Sequence, residues 1–222
     1  MEILYSDKDI AVCIKPVGVD SEQQMPKALK DTLGGEIFTL HRLDLNVGGV
    51  MVYARTKQMA AKLSSVIQEG AMIKEYVAIV HGIPPEAGDW EDLLWKDAKK
   101  NKVFVVDRER KGVKKARLEF TRLRVTEHLP EGAESAESAE TDIVKAKSNE
   151  LHEPRSLVRI RLHTGRSHQI RVQFSTRRYP LVGDHKYGSR AKETEPMLYS
   201  CRITFPYKGE MRSFEALPEW AE

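Results

Sequence analysis

The chain has 222 residues, 41% of them hydrophobic and 31% charged, with a formal net charge of +3. This is enough apolar material for one compact core or two intimate halves, and no run of about 18 apolar residues exists that could cross a bilayer. The opening Met1-Glu2-Ile3-Leu4-Tyr5-Ser6-Asp7 lacks the charged start and apolar centre of a signal peptide, so the expectation is a cytoplasmic protein with no membrane association.

In chain order, Asp9 to Pro16 alternates apolar and other residues and then stops at Pro16 and Gly18, which predicts a strand entering a loop. The stretch through Gln24 and Met25 carries no clear period and is read as loop. His41-Arg42-Leu43-Asp44, closed by Gly48-Gly49, is the kind of loop that presents a carboxylate, and Val50, Val52 and Ala54 alternate with Met51 and Tyr53 in a buried strand that would support it. Thr56 is a helix N-cap, after which Met59, Leu63, Val66 and Ile67 share a face until Gly70 ends the helix. Tyr76, Ala78 and Val80 face one way and Val77 and Ile79 the other, a strand buried on both sides in which Tyr76 is either core or site.

From Ala116 to Val125 the alternation slips between Phe120 and Leu123, predicting a strand with a bulge. Residues 128 to 155 then carry seven acids against three Lys or Arg, and the Gly, Ala, Ser and Glu repeats within them have nothing to bury, so a flexible acidic insertion is expected rather than a linker between domains. Val158, Ile160 and Leu162 alternate with Arg159, Arg161 and His163, a strand with one apolar and one basic face that could line a groove. Thr164 or Ser167 could cap a following helix whose Ile170 and Phe174 point inward, and Tyr199, Cys201 and Ile203 form a last strand. Cys13 and Cys201, the two cysteines, sit in apolar stretches and are expected as buried free thiols, with no zinc spacing. The sum is an α+β fold around a long, mainly antiparallel sheet, in a single domain over 1–222.

The charge is segregated. Between Arg159 and Arg190 there are eight Lys or Arg and one acid, Asp184, interleaved with Tyr179 and Tyr187. Such a run is either a solvated basic face or a footprint for a polyanion. Asp44 by itself could be a turn residue ahead of Asn46, and Arg171 a phosphate contact.

Taken together and in order, five segments resemble the RluA family of pseudouridine synthases: Ile14-Lys15-Pro16-Val17-Gly18, His41 to Asp44, Lys74-Glu75-Tyr76-Val77-Ala78-Ile79-Val80-His81-Gly82, Leu162-His163-Thr164-Gly165-Arg166-Ser167-His168-Gln169-Ile170-Arg171-Val172, and Gly183-Asp184-His185-Lys186-Tyr187-Gly188. The resemblance runs from Ile3 to about Tyr207. It implies a pseudouridine synthase fold, with helices flanking the mixed sheet and a central RNA-binding cleft, and an enzyme that isomerises uridine in tRNA or ribosomal RNA without cofactor or metal. RNA is the implied partner, with no obligate protein partner and a monomer as the working state. The matched positions make Asp44 the catalytic carboxylate, Arg171 the cation that pairs with it, and Tyr76 the ring that stacks on the target base. Arg42 would fill the space left by the extruded uridine and Ile170 would pack beside the pocket. His41, Arg166, His168 and Gln169 would support the loop or bind phosphate and sugar, and Lys15 and Lys186 would meet the RNA backbone.

Two departures bear on substrate choice rather than chemistry. Leu45-Asn46-Val47 follows Asp44 where the family commonly has a polar Arg-Asp-Thr-Ser type run, and Gln173 replaces a frequent histidine. No S4 RNA-binding module is expected ahead of the catalytic segment. A non-enzymatic RNA chaperone on the same fold and a nucleoside hydrolase using Asp44 are the alternative readings.

Overall fold

The computed structural model describes residues 1–126 and 154–222, so the expected flexible acidic insertion lies almost wholly outside the described residues. In chain order the elements are β1 (Glu2–Ser6), β2 (Ile10–Lys15), α1 (Gln24–Leu33), β3 (Phe38–Thr39), β4 (Gly48–Ala54), α2 (Lys57–Gln68), β5 (Ile73–His81), β6 (Ala87–Asp97), β7 (Lys102–Val106), β8 (Val113–Thr126), β9 (Arg155–Leu162), α3 (Gln169–Thr176), β10 (Leu198–Tyr207) and β11 (Glu210–Glu215).

The strands form one twisted sheet in the order β1-β2-β4-β10-β5-β9-β8-β6-β7, with β3 beside β4 and β11 beside β10. The pairing of β4 with β10 is parallel and the others described are antiparallel. This is the mainly antiparallel α+β architecture that the alternations predict. Every residue of β4 is buried, because Met51 and Tyr53 face one core while Val50 and Val52 face another. Helix α2 packs Leu63 and Val66 into the second core, whereas α1 and α3 contribute Met25, Leu29, Ile170 and Phe174 to the first. The sheet therefore has α2 on one face and α1 with α3 on the other.

The local signals explain several boundaries. Thr56 caps α2 by accepting the Met59 N–H at 3.1 Å, and Gly70, at φ +73°, turns the chain out of it. The expected bulge in β8 falls between Arg122 and Arg124 in its pairing with β9, and it turns Leu123 to solvent. Cys13 and Cys201 are buried free thiols, and burial pushes the Cys13 thiol up to about 12.

Three readings are corrected. The stretch through Gln24 is the start of α1, with Met25 and Leu29 buried; Pro26 reads as a breaker, yet in the first turn of a helix the missing N–H is one that would have no partner there anyway. Neither Thr164 nor Ser167 caps α3: its N-cap is His168 in a left-handed conformation, while the Thr164 hydroxyl pairs with the Gln169 side chain. The basic face of β9 does not line the groove that holds Tyr76. Tyr76 pairs across from Ile160 and Glu75 from Arg161, so Arg159 and Arg161 lie on the opposite face, where Arg159 meets Glu215 at 2.7 Å and Glu75 at 3.5 Å.

Gly49 shows how tightly the strand behind the Asp44 loop is held. Its φ is +127°, and a Cβ there would come within 2.4 Å of the Ser200 carbonyl oxygen on β10. Gly49→Ala combines strain with a backbone clash and is expected to destabilise the fold by about 2–4 kcal/mol, read as a lower midpoint in urea unfolding with an unchanged slope.

Candidate active site

Asp44 lies in the loop between β3 and β4, and the loop is fastened at several atoms. The Val47 N–H donates to the Asp44 carbonyl at 3.0 Å and the Gly18 N–H to the Leu45 carbonyl at 2.9 Å. The Ser21 hydroxyl donates to the Leu43 carbonyl at 3.1 Å. Lys15 is fully buried, and its ammonium donates to the carbonyls of Pro16, Val19 and Leu45 at 2.8, 2.7 and 3.2 Å. Burial pushes its pKa down to about 8, against the pull of Asp20 and Asp44. The expected contact of Lys15 with RNA is thereby corrected: all three donors are engaged inside the protein, and the residue is a strut for the Asp44 loop.

Facing the loop, α3 delivers Arg171, which is 7% exposed. Its Nη1 donates to Asp44 Oδ2 at 3.0 Å, while Nε and Nη2 make a two-pronged bond to Asp184 at 2.7 and 2.8 Å. Asp184 is 1% exposed. Burial works against the guanidinium charge, but the two carboxylates more than offset it and leave the Arg171 pKa raised. The bonds to Asp44 and Asp184 engage all three guanidinium nitrogens of Arg171, which makes it a carboxylate partner first. Asp184 is a member of the site to which the sequence assigns no role; the signal available was a single acid in a basic run.

His168 stands on the other side of Asp44, with Nε2 at 3.8 Å from Oδ2 and Nδ1 at 2.9 Å from the Tyr187 hydroxyl. That hydroxyl also accepts the Val103 N–H at 2.8 Å, and the Tyr187 ring lies 5.2 Å from the Arg171 guanidinium. Burial holds the His168 pKa below its ordinary value, and Asp44 restores only part of it, so the imidazole is neutral near pH 7. Its φ of +49° is an uncommon conformation for a residue with a Cβ and stores roughly 1–3 kcal/mol.

These residues bound an open cleft of about 750 Å³, with Arg42, Asp44, Arg166, His168, Arg171 and Lys186 among its walls. Below it is a recess of about 100 Å³, lined by Asp44, Tyr76, Ile170 and Lys74 together with Arg42 and Arg166. Tyr76 is 6% exposed; burial first, and the Asp44 charge second, raise the pKa of its phenol, so it remains protonated. Lys74, two positions earlier on the same face of β5, has no distinguishing signal in the sequence. Its Nζ lies against Gly165, where a side-chain carbon would come within 3.1 Å. Among the described residues no hydrogen bond or ion pair holds it, and burial, followed by repulsion from Arg166, depresses its pKa.

The remaining expected residues divide by position. Arg42 is exposed and its Nη1 meets Glu22 at 2.9 Å. Arg166 is exposed, with Nε donating to the Lys115 carbonyl at 2.9 Å and the rest of the guanidinium at the cleft. Gln169 is buried and stitches its own turn together, accepting from Thr164 and the Arg166 N–H and donating to the Arg117 carbonyl. His41 accepts the Val52 N–H at Nε2, which fastens the loop to β4.

The sequence over residues 9–176 matches the model of a family described as RNA pseudouridylate synthase. The chain belongs to this family. Its relatives include ribosomal large subunit pseudouridine synthase D of Vibrio cholerae, 28% identical over 86% of this chain and 54% of the relative, and tRNA pseudouridine synthase C of the same organism, 27% identical over 85% and 74%. An uncharacterized RNA pseudouridine synthase of Aquifex aeolicus is 30% identical over 97% of this chain and 68% of the relative. The chain thus spans about half the length of the first of these. Human RNA pseudouridylate synthase domain containing 1 shares the fold with a TM-score of 0.77 at 20% identity, covering 98% of this chain and 83% of that one. Human RNA pseudouridylate synthase domain containing 4 does so at 0.72 and 23%, covering 99% and 90%.

Two outcomes follow from the site's burial. Asp184→Asn leaves Arg171 as a buried cation with half its compensation gone, and the pseudouridylate synthase fold is expected to lose about 3–5 kcal/mol, measured by urea unfolding. His41, kept neutral by burial and by the charge of Lys74, has its pKa pushed down to about 3. The unfolded chain takes up the proton near pH 6.5 and the folded chain does not, so the contribution is complete above that pH and declines below it. Stability is expected to fall by about 2 kcal/mol between about pH 6.5 and about pH 5 from this residue, a component that His41→Gln removes.

Proposed function

We propose that the chain is a cofactor-free RNA pseudouridine synthase, a single catalytic domain over 1–222 that works as a cytoplasmic monomer on uridines of tRNA or ribosomal RNA. The observation that carries this reading is the Asp44 carboxylate, fixed by Arg171 at the mouth of a recess that contains Tyr76. The substrate class is supported by relatives named for ribosomal and for transfer RNA. Among the described residues no helix is long and apolar enough to cross a membrane.

The reaction conserves atoms and electrons. The N1–C1′ bond breaks with its electron pair passing to the uracil ring, the ring turns, and C5 bonds to C1′. The C5 proton then leaves, and N1 ends protonated. Asp44 faces the sugar carbon as positive charge grows on it, acting as nucleophile or as electrostatic partner, and afterwards assists removal of the C5 proton. Tyr76 offers a neutral ring for the base, a contact worth about 1–3 kcal/mol. The Lys74 ammonium supplies a donor to a carbonyl oxygen of the detached base, where the negative charge resides. Arg42 takes the place of the extruded nucleotide; its exposed pair with Glu22 costs about 1 kcal/mol or less to release, against a few kcal/mol for extrusion.

Tritium release from RNA labelled at uridine C5, with pooled tRNA and unmodified ribosomal transcripts, tests the reading. Wild type is expected to release the label, and Asp44→Asn to bind the same RNA and release none. Free uracil in the wild-type reaction would instead indicate a hydrolase. RNA remodelling that survives in Asp44→Asn, with no label released by either protein, would indicate a chaperone.

A further inference from the structure

Between Lys96 and Arg117 the chain carries ten Lys or Arg against three acids. This stretch comprises the end of β6, its turn, β7 and the start of β8, at the free edge of the sheet. Lys99, Lys100, Lys111 and Lys114 are exposed, and among the described residues their side chains have no hydrogen bond or ion pair. Within the stretch Arg108, Lys115 and Arg117 are held in ion pairs with Asp107, with Glu109, and with Asp89 and Glu119, which leaves seven of its ten cations without one among the described residues. In the run from Arg159 to Arg190, Arg159, Arg171 and Arg177 are held by Glu75 and Glu215, by Asp44 and Asp184, and by Asp92, which leaves five of eight. The larger uncompensated positive field therefore belongs to the hairpin.

The hairpin is also joined to the cleft. Lys96 and Asn101 line the same cleft as Asp44, and Lys186 donates to the Asn101 carbonyl at 3.2 Å. The Arg166 guanidinium is anchored on the Lys115 carbonyl. Lys114 pairs opposite Leu94, which packs with Val172 of α3, so Lys114 lies on the α3 side of the sheet. Lysines also guard a sheet edge against pairing with another chain, but here they continue beyond the edge strand through the turn and into β8.

We infer that the β6–β7 hairpin and the loop after it are a second RNA contact, which holds the phosphates of the strand flanking the target uridine. The inference rests on the proposed function for its choice of polyanion. It places much of the affinity outside the catalytic recess and makes RNA that extends beyond the target loop the preferred substrate.

The test is the quadruple variant Lys99→Ala, Lys100→Ala, Lys111→Ala, Lys114→Ala, with binding of a long tRNA or ribosomal transcript followed from low to high salt. The slope of log affinity against log salt is expected to flatten by about 2–4, at roughly 0.7–0.9 for each phosphate that the variant no longer neutralises. KM for the long RNA should rise about tenfold or more at physiological salt, with kcat held within about twofold and an unchanged melting temperature. A short oligonucleotide confined to the target loop should show much less change in KM. An unchanged slope on the long RNA, or an equal loss on the short one, overturns the inference. The slope is measured by binding alone, so it remains decisive if no RNA tested yields pseudouridine, an outcome that would count against the synthase reading instead.

Discussion

One guanidinium holds three distant segments of this chain in register. Arg171 from α3 reaches Asp44 in the β3–β4 loop and Asp184 in the segment after α3, and none of the three could be buried to this extent alone. A lone desolvated charge costs several kcal/mol, and a buried pair recovers that only with good geometry and further hydrogen bonds. Here the two-pronged bond to Asp184 supplies the geometry, and the exposed edge of Asp44 supplies the release: that carboxylate retains 29% of its side-chain surface. The partition matters chemically. Two carboxylates on one cation leave the triad one negative charge in excess, and the less buried carboxylate is the one that faces the cleft.

This excess suits the proposed reaction, in which positive charge grows on a sugar carbon while negative charge grows on the departing base. A neutral Asp44–Arg171 pair would meet the sugar with little net field. With Asp184 behind Arg171, Asp44 acts as an anion of fixed position. Lys74 has the complementary placement, in the recess itself, with no ion pair among the described residues. His168 adds no charge at neutral pH, since burial depresses its pKa; its contribution is a polar edge 3.8 Å from Asp44 and a link through Tyr187 to the backbone of β7. Donors and charges arranged in advance do not have to reorient as the reaction proceeds.

What could be read from the sequence follows from which interactions are local. Strands β2, β4, β5 and β9 declare themselves by alternation, and α2 by its cap and its terminating glycine, because the deciding neighbours lie within a turn or two. The slip in β8 could be read for the same reason. Helix α1 was hidden by a proline whose effect depends on its position in the first turn, and β6 and β7 by having few buried residues to set a period. At the site, Asp44, Tyr76 and Arg171 came from the motif resemblance. The role of Lys15 is not legible because a lysine before a proline gives no local sign that three carbonyls will surround its ammonium. Asp184 and Lys74 carry no local sign of a role for a related reason: what matters about each is its partner across the fold, or the lack of one among the described residues.

The same distinction between local and distant governs the electrostatics. A count of charges along the sequence puts the basic footprint at residues 159–190, but folding neutralises part of that run by bringing Glu75, Glu215, Asp92 and Asp44 to it from other strands and loops. The β6–β7 hairpin has fewer such visitors, because an edge strand has a neighbour on one side only and a turn has none. Net positive field therefore accumulates at the edge of the sheet, while more of the charges at the centre are paired. For the proposed reaction, in which a long polyanion is bound and one carboxylate is placed against it, this division is physically consistent. In that reading phosphates are attracted to the periphery, and Asp44 is approached only by the one nucleotide drawn into the cleft, where Arg42, Arg166 and Lys74 screen its repulsion.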